Sequence, residues 1–89
     1  MKNDFKIAVI GSGTMGNGIA HVVAQSGFKT LLIDINQVQL NKALSIIKKN
    51  LDRQINKNII SKSDKKKIIN NILLETDIGN CKDIDLVIE

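Results

Sequence analysis

The chain has 89 residues, is 43% hydrophobic and 25% charged, and carries a net charge of +4, which bounds it to one small globular domain. Only 2% of it is aromatic, with no Trp or Tyr, so it offers no stacking platform for single-stranded nucleic acid, and no apolar run approaches the ~18 residues of a membrane span. The single Cys81 cannot form an internal disulfide, and the start runs from Met1 through Phe5 straight into a strand with no signal peptide, so a reducing cytoplasmic setting is expected.

Ile7-Ala8-Val9-Ile10 is apolar without alternation, as in a strand of a parallel sheet covered on both faces. Gly11-Ser12-Gly13-Thr14-Met15-Gly16 follows at once and fits G-x-G-x-x-G. In that pattern the first glycine makes the tight turn, the second lets a pyrophosphate approach the backbone, and the third lets the helix pack close to the strand. The helix opening here aims free N–H groups and its positive dipole end at bound phosphates. Met15, Ile19, Val22 and Val23 give it an apolar stripe, and Gly27 stands where it should end. A second apolar strand, Leu31-Leu32-Ile33, ends on Asp34, 21 residues after Gly13. An acid there accepts both ribose hydroxyls of adenosine, and its charge repels a 2′-phosphate. Its neighbours are Ile33, Ile35 and Asn36 rather than Lys or Arg, which favours NAD over NADP.

Asn36 caps a second helix expected over residues 37–56, with Leu40, Leu44, Ile47, Leu51 and Ile55 as its apolar stripe. Ser61-x-x-Asp64 starts a third helix running to about Asn71 and burying Ile68, Ile69 and Ile72. Leu73 to Thr76 reads as a third strand and Ile84 to Glu89 as a fourth, joined by a polar connection with a Gly79-Asn80 turn. Nine of the 13 Lys and Arg residues lie between Lys42 and Lys67. That basic segment suits an anionic ligand, although most of its lysines read as a solvated helix face. Lysines 65 to 67 fall near a helix start, a mildly unfavourable place for positive charge.

The fold class is therefore α/β: the first half of a Rossmann-type parallel sheet, about four strands, with a helical-pair crossover between strands two and three. That crossover is about 38 residues against the ~12 a βαβ unit needs, so the pair is expected to project beyond the sheet. The chain stops in an apolar strand where a doubly wound fold needs a second half. Residues 1–89 are thus expected to be the N-terminal part of a longer protein. No catalytic residue is evident. His21 is the only histidine and reads as a packed structural residue, and no metal-ligand cluster or activated nucleophile stands out.

The stretch IAVIGSGTMGNGIAHVVAQSGF followed by LLID resembles the N-terminal signature of the 3-hydroxyacyl-CoA dehydrogenases, in particular the bacterial 3-hydroxybutyryl-CoA enzymes. Gly18, Ile19 and Ala20 extend the likeness beyond the generic fingerprint, and it runs on to the C-terminal DLVIE. His21 departs from it, standing where the family usually has Gln. The resemblance implies NAD as cofactor, bound by Gly11, Ser12, Gly13, Thr14, Met15, Gly16 and Asp34. It implies NAD-dependent interconversion of 3-hydroxyacyl-CoA and 3-oxoacyl-CoA in fatty-acid or butanoate metabolism, in a full-length homodimer. It places the catalytic His and Glu beyond Glu89, so the chain alone would bind and not catalyse. It matches Asn50, Arg53 and Lys57 to positions that contact the nucleotide end of acyl-CoA. Two alternatives stay open: a stand-alone dinucleotide-binding module and a related hydroxyacid dehydrogenase. No nucleic-acid or membrane partner is expected.

Overall fold

The computed structural model describes residues 5–89, with Asn80 described through its backbone alone. Met1 to Asp4, read as the lead into the first strand, lie outside the described residues. The elements follow in the order β1 (Lys6–Ile10), α1 (Thr14–Gln25), β2 (Lys29–Ile33), α2 (Gln37–Asn56), α3 (Lys62–Asn70), β3 (Ile72–Glu75), a 3-10 turn (Ile78–Asn80) and β4 (Leu86–Ile88). The strands form one sheet in the order β3-β2-β1-β4, and every pairing is parallel. This is the half of a doubly wound sheet that the apolar strand runs called for.

The main core lies on one face of the sheet, where Val9 and Leu32 meet Ala20 and Ala24 of α1, Leu40, Ala43, Ile47 and Leu51 of α2, and Ile68 of α3. A smaller cluster on Ala8, Leu31 and Ile33 is covered by Cys81 and Ile84 from the connection into β4. Among the described residues no helix is long and apolar enough to cross a membrane.

Three local expectations change. The first concerns α1. It buries Gly16, Asn17, Ala20, His21 and Ala24, while Met15 is 80% and Val22 66% exposed. Small side chains face the sheet because α1 must lie close to β1: a Cβ on Gly16 would stand 1.7 Å from the Gly11 carbonyl oxygen. The second concerns the helical pair, which does not simply project. Leu51 and Ile68 belong to the same cluster as Val9 and Leu32, so the pair lies along α1 and the sheet face.

The third is at the end of α3. Asn71 caps that helix, and its carbonyl already accepts from the Thr30 N–H at 2.7 Å, so Ile72 opens β3 opposite Thr30. At the other end Ser61 and Asp64 form a reciprocal capping box. Because α3 has only nine residues, the lysine run extends to its last turn, where Lys67 opposes the negative dipole end. Lys65 bonds Asp52 of α2 at 2.7 Å.

Candidate dinucleotide site

The site is built where β1 and β2 end side by side. The Gly11 N–H donates to the Ile33 carbonyl at 2.7 Å, which carries the β1–β2 ladder into the glycine turn. The Asp34 N–H donates to the Glu75 carbonyl at 3.1 Å, tying the next residue to β3. Gly11 has φ +95°, a left-handed conformation that admits glycine at little cost. The chain then turns under α1, whose N-cap Gly13 supplies no side-chain cap. Its first-turn N–H groups are left for an anion. A Cβ on Gly13 would meet no protein atom within 4 Å, so the space above it is open to a ligand.

Asp34 is held across this turn. Its Oδ2 accepts from the Ser12 N–H at 3.0 Å and from the Ser12 hydroxyl at 2.8 Å. Its Oδ1 accepts from the Asn36 N–H at 3.0 Å. The Ser12 backbone N–H, then the Asn36 N–H and the Ser12 hydroxyl, hold the carboxyl below its usual range. A carboxylate has about four acceptor sites, so one remains free and rotation of the Ser12 hydroxyl releases another. That is the pair a ribose diol requires.

Beside Asp34 a cleft of about 380 Å³ is lined by Ile10, Gly11, Ile33, Asp34, Ile35, Thr76, Asp77 and Ile78. Ile35 is 93% exposed, with no packing reason on the protein's own surface. With Ile78 it offers apolar walls of the kind a purine ring fills. Ile35, Thr76, Asp77 and Ile78 were not singled out from the sequence as ligand residues. The signal available there was an isoleucine directly after a polar strand end, in a pattern that gave it no partner.

The other expected residues are placed less uniformly. Ser12, Gly13 and Thr14 line a groove between α1 and α2 that also holds Asn50. Met15 is instead exposed, on an apolar hollow it shares with Ile19, Val22 and Val23. Arg53 donates from Nη1 to the Asn50 Oδ1 at 3.2 Å, and Lys57 is the exposed C-cap of α2. Neither Arg53 nor Lys57 lines that groove. His21 is buried, and its Nε2 lies 2.8 Å from the Gln25 Oε1. Gln25 in turn exchanges bonds with Gln54 of α2, so His21 belongs to a polar clamp between helices. Among the described residues no group of three or more His, Cys, Asp or Glu could hold a metal ion.

Residues 6–89 match the family described as 3-hydroxyacyl-CoA dehydrogenase, NAD binding domain. The chain belongs to that family. It is 40% identical over 84 residues to a 3-hydroxybutyryl-CoA dehydrogenase of Bradyrhizobium diazoefficiens, covering 94% of this chain and 29% of the relative. It is 38% identical over 84 residues to a 3-hydroxybutyryl-CoA dehydrogenase of Clostridioides difficile, covering 94% of this chain and 30% of the relative. The crystal structure of 3-hydroxybutyryl-CoA dehydrogenase from Escherichia coli K12 superposes with a TM-score of 0.89 at 35% identity, over 97% of this chain and 18% of that one. The chain thus spans less than a third of the length of these relatives. NAD is the cofactor of this domain family, and the uncapped α1 end, the open space over Gly13 and the two acceptor sites of Asp34 fit its pyrophosphate and adenosine ribose.

Proposed function

We propose that the chain is the N-terminal, cofactor-holding part of an NAD-dependent 3-hydroxyacyl-CoA dehydrogenase acting on short acyl chains such as 3-hydroxybutyryl-CoA. The observation that carries this reading is Asp34, held by Ser12 of the glycine turn at the edge of a cleft with apolar walls.

Bound NAD would supply hydride acceptance, and this chain's residues bind and orient it. The N–H groups at the start of α1 receive the pyrophosphate. Asp34 takes the adenosine ribose and excludes a 2′-phosphate. Ile35 and Ile78 flank the base. Asn50, Arg53 and Lys57 present amide and cationic groups along α2 to the nucleotide end of acyl-CoA. His21, buried and engaged with Gln25, is not available for proton transfer, so the acid/base group belongs to the remainder of a longer protein.

Asp34→Ala tests the cofactor side. NADH affinity should fall about tenfold or more, since a hydrogen bond to a charged group contributes about 1.5–3 kcal/mol, and adding Ile35→Arg should shift preference toward NADPH. Undiminished NADH affinity in Asp34→Ala would remove Asp34 as the ribose ligand.

A further inference from the structure

The cleft of about 380 Å³ beside Asp34 has a second carboxylate on its lining, Asp77. Ile10, Gly11 and Ile33 line the cleft from the ends of β1 and β2, and Ile35 and Ile78 line it from the connections that follow β2 and β3. Asp77 is pinned there. Its N–H donates to the Glu75 Oε2 at 3.0 Å, and its Oδ1 accepts from the Gly79 N–H at 2.8 Å, capping the 3-10 turn. Gly79 leaves room for that oxygen, since a Cβ there would stand 3.1 Å from it. The cap occupies Oδ1 alone. Oδ2 has no hydrogen-bond partner among the described residues. A carboxylate only accepts, so what Oδ2 can hold in this cleft is a donor.

The two carboxylates lie on opposite sides of the cleft in the order of the strands. The Asp34 N–H bonds the Glu75 carbonyl at 3.1 Å, and Asp77 follows Glu75 by two residues, so Asp34 stands on the β2 side and Asp77 on the β3 side. A purine joined through N9 to a ribose on Asp34 carries its C6 substituent on the ring remote from the sugar, toward the β3 side. In adenine that substituent is an amino group, a donor. In hypoxanthine it is a carbonyl, which would set one acceptor against another. A carboxylate at this end also tolerates the neutral base and repels phosphate, so it reinforces the placement of the pyrophosphate at the start of α1.

We infer that Asp77 reads the base of the cofactor, its Oδ2 accepting from the exocyclic amino group of adenine and disfavouring a purine with a carbonyl at C6. The inference rests on the NAD reading above and deepens it: Asp34 selects at the ribose and Asp77 at the base. One oxygen of Asp77 shapes the turn and the other determines specificity.

The test is calorimetric titration of the chain with NADH and with reduced nicotinamide hypoxanthine dinucleotide, in which hypoxanthine replaces adenine. The wild-type chain should bind NADH at least about fivefold more tightly. Asp77→Asn keeps a capping oxygen and can turn an amide donor toward the hypoxanthine carbonyl, so the ratio of affinities should fall to about one or reverse. Asp77→Ser also keeps a cap but is too short to reach the base, and the ratio should again fall to about one. A wild-type ratio near one, or a ratio that survives in either variant, overturns the inference and leaves the NAD reading in place. Binding of neither dinucleotide by the wild-type chain removes the NAD reading, and the inference with it.

Discussion

Ser12 donates both its backbone N–H and its hydroxyl to the same oxygen of Asp34, at 3.0 and 2.8 Å. The glycine turn and the acid at the end of β2 are therefore one unit, and a change in either is felt by the other. Ser12→Ala removes the hydroxyl bond, frees an acceptor site for ribose and leaves the backbone bond intact. NADH affinity should change by less than about fivefold, against the tenfold or greater loss in Asp34→Ala. Calorimetric titration of the two variants side by side checks the difference.

The close fit at the turn gives a second prediction. A methyl group on Gly16 would overlap the Gly11 carbonyl oxygen at 1.7 Å, and that atom is backbone that cannot swing aside. Gly16→Ala should force α1 away from β1. It should destabilise the domain by about 1–3 kcal/mol or more and weaken NADH binding. Thermal unfolding together with NADH titration measures both.

Acid should destabilise the fold through two carboxylates. Asp34 is held below its ordinary value of 3.8, chiefly by the Ser12 N–H, and Asp64 likewise by the Ser61 N–H. A value lower in the folded state than in the unfolded chain means that the ionised group favours folding. That contribution is complete above about pH 4 and is lost as the pH falls through the folded value. The melting temperature should thus be flat from neutrality to about pH 5 and drop below about pH 4. Asp64→Asn should make the acid drop shallower, as read by melting curves across pH.

The capping box of α3 can be tested alone. Ser61 Oγ accepts from the Asp64 N–H at 3.0 Å, and Asp64 Oδ2 accepts from the Ser61 N–H at 2.9 Å. Ser61→Ala should cost about 1 kcal/mol, a fall in melting temperature of about 4–8 °C for a domain of this size.

What could be read from the sequence divides along a physical line. The strands, the glycine turn, the bounds of α2 and the place of Asp34 depend on residues close in the chain, and periodicity and spacing expose them. The buried face of α1 does not. Met15 and Val22 belong to its apolar stripe and are exposed, because helix and strand lie so close that Gly16, Ala20 and Ala24 must face inward. Hydrophobic pattern reports which side is apolar and not how near the neighbour stands. The cleft beside Asp34 joins Ile35 to Thr76, Asp77 and Ile78 only through the β2–β3 register, in which Ile33 pairs with Glu75. No local pattern links segments that far apart.

The most direct test of the account is titration of the chain with NADH and with NADPH under identical conditions. An Asp34 carboxylate facing a 2′-phosphate at close range costs about 4 kcal/mol for a charge pair near a protein surface. NADH should therefore bind at least about tenfold more tightly than NADPH. Equal affinity for the two, or binding of neither, would contradict the assignment of Asp34 and the glycine turn as an NAD site.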